Sequence, residues 1–230
     1  CMITSGGADA SPGRHRMPRN ADDTRAQLIR AAERLFADRG VDAVSLREIN
    51  READQRNATA LQYHFADRQG LLLALLEKHE RMVDESRNEM LDVMEKKDDR
   101  DLHSFASALV LPSAVKLSDR DGGRAYLRIV AQLVNNYRPR VDPVELVSSS
   151  KSMDRWRTMV VPEMSPIAVA PLHARFTAAR ITFVELARRA ENPRRKDDRL
   201  FASHLIDLVT AILGAPVSAE TKALLEERGQ

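Results

Sequence analysis

Hydrophobic residues recur along this chain at spacings of three and four, and polar runs between them mark off a series of amphipathic helices. Leu28, Ile29, Ala32, Leu35 and Phe36 share one face of a first helix over about 21–39. Asn20 or Asp22 can cap its start, and Gly40 is a natural stop. Val41 and Val44 then turn back toward the core. Ser45-Leu-Arg-Glu48 has the form of a capping box, and Leu46, Ile49 and Ala53 make the buried stripe of a short second helix. Asp54-Gln-Arg-Asn57 is a polar turn, with Asn57 as the cap of a third helix. In that helix Leu61 and Phe65 point inward, while Ala58, Thr59 and Gln62 face out.

Asp67 caps a long fourth helix reaching about residue 96, with a stripe that includes Leu72, Leu75, Leu76, His79, Val83, Met90 and Met94. A fifth helix is expected over about 102–117, kinked or ended near Leu111 by Pro112. The loop 118–123 leads into a sixth helix from Arg124 to Tyr137, and residues 143–160 read as another. Pro162, Pro166 and Pro171 then break the chain repeatedly. Two strong helices follow, one through Leu172, Phe176, Phe183, Leu186 and Ala190, the other through Phe201, Leu205, Leu208 and Ile212. A short helix over about 218–228 ends the pattern. No strand and no internal repeat emerges, so the expected fold class is all-α.

Composition agrees with that pattern. Of 230 residues, 43% are hydrophobic, enough for a core, and 30% are charged. No apolar run approaches the ~18 residues of a membrane span. The single cysteine, Cys1, excludes an internal disulfide and points to a cytoplasmic setting. Residues 1–19 carry Gly, Ser, Pro and Arg without an apolar stretch and read as a flexible basic arm. The net charge of +2 does not announce nucleic acid by itself. Arg14, Arg16, Arg19, Arg47, Arg51, Arg56 and Arg68 nevertheless cluster around the first helices, which suits phosphate contact or simply a solvated surface.

Most pairs of short helices do not bind DNA, but the order of elements here is particular. Leu35-Phe-Ala-Asp-Arg-Gly40, Ser45-Leu-Arg-Glu-Ile49, Leu61-Gln-Tyr-His-Phe65 and the exit Asp67-Arg-Gln-Gly-Leu-Leu72 resemble the TetR family of transcriptional regulators over residues 20–80. The chain departs from the usual pattern in a longer turn between Ala53 and Leu61, and in Gln62 where an aromatic is usual. The resemblance implies a helix-turn-helix domain over 20–68 and a helical effector-binding and dimerisation domain over 69–230. It also implies double-stranded operator DNA, a homodimer and a small-molecule effector as partners.

A recognition helix enters the major groove by its N-terminal half. Gln62 can pair with an adenine, Arg56 with a guanine, and Thr59 can touch a thymine methyl or a phosphate. Arg47, Asn57, Tyr63, His64 and Arg68 complete the candidate DNA contacts, mostly to the backbone. For the effector, Met90, Met94, Phe105, Leu109, Tyr126, Met153, Trp156 and Met159 are candidate lining, since methionine adapts to loosely specific apolar ligands. For the dimer, Phe176, Phe183, Leu186, Leu205, Leu208 and Ile212 form stripes suited to a four-helix interface, or else face the chain's own core.

The expected function is a ligand-responsive repressor on a pseudo-palindromic operator. The alternative is a non-catalytic helical ligand-binding or scaffold protein. No phosphate loop, nucleophile elbow or metal-ligand spacing supports an enzyme, and no cofactor is expected.

Overall fold

The computed structural model describes residues 21–55, 59–135, 151–165, 169–192 and 197–228, and these contain helices but no strand. The helices are α1 (Ala21–Arg39), α2 (Leu46–Glu52), α3 (Ala60–Phe65), α4 (Arg68–Lys97), α5 (Leu102–Ala114) and α6 (Gly123–Asn135). They continue with α7 (Lys151–Val160), α8 (Val169–Ala190), α9 (Arg199–Leu213) and α10 (Ala219–Glu227). One apolar core runs through the molecule, from Leu28, Phe36, Ile49 and Leu61 at the N-terminal end to Leu127, Trp156, Leu186 and Val209 at the other. α1 packs on α2, α4 and α6; α6 packs on α8, and α5 packs on α9.

The local reasons are legible at most helix ends. Ser45 Oγ accepts from the Glu48 amide at 3.3 Å, and the Glu48 carboxylate accepts from the Ser45 amide at 2.8 Å. α2 closes on Asp54, which takes a left-handed conformation (φ 51°), and the Gln55 amide reaches back to Asn50 O at 2.9 Å. Asp67 caps α4 by accepting from the Gly70 amide at 2.8 Å.

Two prolines behave differently from the sequence expectation. α5 continues past Pro112 to Ala114 and then tightens into a 3₁₀ turn, Val115–Leu117, rather than stopping near Leu111. Pro171 does not break the chain, because it lies in the first turn of α8, where an N–H has no helical acceptor. The start of α3 is also later than expected. Its N-cap position is Thr59, not Asn57, and no side-chain cap bond forms there. Asn57, the arm over 1–19 and the expected helical turns over 143–150 lie outside the described residues.

The capping box gives a test. The two Ser45 hydrogen bonds, then the Arg39 contact, hold the Glu48 carboxyl down at about 2. This lowered value means the contribution is complete above the ordinary glutamate range and is lost as pH falls toward about 2. Ser45→Ala should lower Tm by about 2–4 °C at neutral pH, with the deficit shrinking in acid. Thermal melts at several pH values measure this.

Candidate nucleic-acid interface

α2 and α3 form a helix pair with a buried inner face and an exposed outer face. Ile49, Leu61 and Phe65 are buried and Leu46 is half-buried, so these four serve as packing. Arg47, Thr59 and Gln62 are exposed, and Tyr63 is 82% exposed. His64 is half-buried, its ring edge-on to Tyr63 at 5.1 Å and tilted against Phe65 at 6.0 Å. Gln62, Tyr63, Arg47 and Thr59 are therefore presented outward, while His64 seats the helix. Arg56 and Asn57 lie outside the described residues.

Arg68 is placed differently from a free phosphate contact. Its Nη1 donates to Val41 O at 2.6 Å, so the side chain ties the start of α4 to the turn before α2. The opposite side of that turn is held by Gln132 of α6. Its amide accepts from the Val41 N–H at 3.1 Å and donates to Phe36 O at 3.1 Å. Gly40 supplies the positive φ (97°) that makes the turn possible.

α3 meets α4 with no room to spare. A Cβ on Gly70 would lie 2.0 Å from Phe65 O, so the backbones can approach this closely only with glycine. Arg25 lies over the Phe65 ring at 5.2 Å. Ion pairs Arg34–Glu52 at 3.0 Å and Arg39–Glu48 at 2.7 Å tie α1 to α2 at the surface. Exposed pairs of this kind contribute little.

A buried polar cluster anchors α1 from behind. Glu33 is buried on α1 and accepts from Lys78 Nζ at 2.9 Å, with His79 Nε2 at the same distance. Lys78 also pairs with Asp121 at 3.1 Å and donates to its carbonyl at 2.9 Å. The sequence reading placed His79 in the apolar stripe of α4. Helical periodicity located its face correctly but could not reveal a carboxylate from a helix forty-six residues earlier.

Residues 28–75 match a family model described as bacterial regulatory proteins, tetR family. Over this segment the chain is similar to that family. No curated protein matches the sequence. Among solved structures, NalD is the secondary repressor of the MexAB-OprM multidrug efflux pump in Pseudomonas aeruginosa. It is similar at 19% identity and a TM-score of 0.53, covering 86% of this chain and 99% of that one. A second, native NalD structure gives 18% identity and a TM-score of 0.50 over 86% and 100%. A TetR-family regulator from Rhodococcus sp. aligns at 15% identity and a TM-score of 0.46 over 84% and 100%. The TetR-type layout of an N-terminal helix-turn-helix followed by a larger helical body is thus the architecture of this chain.

The candidate effector residues lie together in the core. Met94, Phe105, Leu109, Tyr126, Met153, Trp156 and Met159 are buried, with Met90 packed against them. Trp156 Nε1 donates to Phe105 O at 2.8 Å. Burial pushes the Tyr126 phenol well above its ordinary value. A cavity of about 480 Å³ lies elsewhere, between α1 and α4, lined by Asp22, Arg25, Ile29, Lys78, Arg81 and Asp121 among others. None of the eight candidates borders it.

The candidate dimer residues divide. Leu186 and Leu205 are buried within the chain and offer no surface to a second copy, because α8 and α9 turn these positions toward α6 and α5. Phe176 and Leu208 are 59% and 44% exposed, and Phe183 and Ile212 are half-buried. Among the described residues, no helix is long and apolar enough to cross a membrane.

Arg68→Ala should lower Tm by about 2–4 °C through the lost Val41 bond. An unchanged Tm would leave only a surface role for this side chain. The measurement is a thermal melt of the full chain.

Proposed function

We propose that this chain is a repressor that binds a pseudo-palindromic operator as a homodimer and releases it on taking up a small effector. The observation that carries the reading is the outward face of α3. Gln62 and the largely exposed Tyr63 stand on a helix fixed from behind by Leu61, Phe65 and the Gly70 contact. An exposed aromatic beside a free amide on so short a helix has no packing purpose in the protomer. Gln62 and Thr59 read bases, and Arg56 and Asn57 extend that set. Arg47 and Tyr63 contact the sugar-phosphate backbone, with His64 orienting Tyr63. Arg68 acts mainly by holding the turn, with its remaining guanidinium nitrogens turned to phosphate.

The shortness of the six-residue α3 supports the dimer, since one such helix contacts too few bases for useful specificity. The outward side of α8 and α9, with Phe176, Phe183, Leu208 and Ile212, is the proposed surface. The effector enters the Met- and aromatic-rich core around Trp156. NalD, which shares the fold, is a repressor. The chain functions in the cytoplasm, where its DNA is.

Three experiments decide the reading. Selection from random DNA should recover a two-fold symmetric site, and recovery of none would sink the proposal. On that site, Gln62→Ala should relax preference at one position per half-site, costing ~1–3 kcal/mol on the preferred base, in quantitative mobility shifts. Phe176→Glu with Leu208→Glu should convert the dimer to a folded monomer in sedimentation, and binding should fall with it. A dimer that survives both charges would place the interface elsewhere.

A further inference from the structure

Pro112 sits inside α5 and has no N–H. In an α-helix that N–H would donate to the carbonyl four residues back, which is Ala108. The Ala108 carbonyl therefore lacks its helical donor in a stretch where Ala108, Leu109 and Val110 are fully buried. Arg87 of α4 fills the place, its Nε donating to Ala108 O at 3.1 Å.

The guanidinium is itself buried, with Arg87 only 1% exposed. Its Nη1 donates to Ser152 Oγ on α7 at 2.8 Å. Ser152 in turn donates to Asp84 Oδ1 at 2.6 Å, and Asp84 lies one turn before Arg87, 3.6 Å from Nη1. One side chain thus joins three helices. It also explains why α5 runs through its proline rather than ending there.

We propose that Arg87 and Pro112 act as one unit, a latch that fixes α4 in a single register against α5 and α7. Sliding α4 withdraws the guanidinium from Ala108 O, and Pro112 cannot supply a replacement. A buried carbonyl and a buried cation would both be stranded. Intermediate registers are disfavoured, so α4 moves between discrete seats or not at all. Arg87 is a positioning residue. It acts through the helix that also carries Arg68 and Gly70. The consequence for DNA rests on the regulator reading; the latch itself does not.

The test is a double-mutant cycle on the full chain with Arg87→Met and Pro112→Ala. Arg87→Met should lower Tm by about 6 °C or more. Pro112→Ala restores the N–H, so in the Arg87→Met background it should raise Tm, although it removes buried ring atoms from the wild type. Additive losses, or a double variant no more stable than Arg87→Met, folded or not, would overturn the pairing.

The second readout is operator affinity. The double variant has an intact α5 but an unlatched α4, so its stability recovers while its affinity stays about fivefold or more below wild type. Wild-type affinity in that variant would overturn the positioning role. If the wild type binds no DNA, the regulator reading fails, and the stability cycle still decides the latch.

Discussion

The turn at Gly40–Val41 is the constraint on which the placement of α2 and α3 depends. Both polar groups of Val41 are taken, the N–H by Gln132 of α6 and the carbonyl by Arg68 of α4. The same Gln132 amide donates to the last turn of α1 at Phe36. An amide side chain is suited to this task because it offers a donor and an acceptor together. The direction in which α2 and α3 leave α1 is therefore set by two helices that do not belong to the helix-turn-helix. A change in either reaches α3 through hydrogen bonds of ordinary length, with no long-range field required.

A carboxylate buried behind α1, that of Glu33, reinforces that arrangement. Glu33, Lys78, His79 and Asp121 come from α1, α4 and the loop before α6. A buried carboxylate is tolerated only with close partners, and its partners specify one arrangement better than apolar contacts would. Gly122 belongs to the same device. It adopts φ 88°, and a Cβ there would lie 2.4 Å from the Glu33 carboxylate. Packing at the N-terminal end thus selects both the charge partners and the glycine that makes room for them.

Much of this was legible in the residues. Helix boundaries at Gly40, Ser45 and Asp67 followed from cap chemistry, which is local and therefore readable. The prolines were misread for one reason: their effect depends on who supplies the missing hydrogen bond. At Pro171 none is needed, and at Pro112 the donor comes from twenty-one residues away. The stripes of α8 and α9 told which positions are apolar but not which face of the chain they serve, so Leu186 and Leu205 fitted an interface or the chain's own core alike, and they are buried within the chain. The role of Arg68 was half visible. Its basic character suggested phosphate, but the bond to Val41 depends on chain folding that no local pattern encodes.

The Glu33 cluster and the Gln132 clasp also bear on how the molecule is made. The segment that matches the family model ends at residue 75. Lys78, His79, Asp121 and Gln132 all lie beyond it. When α1 emerges during synthesis, Glu33 has no partner to be buried with, and the Gly40–Val41 turn has nothing on its α6 side. The bonds that fix the Gly40–Val41 turn and surround Glu33 are therefore completed only after α6 has been made, well behind the helices they hold.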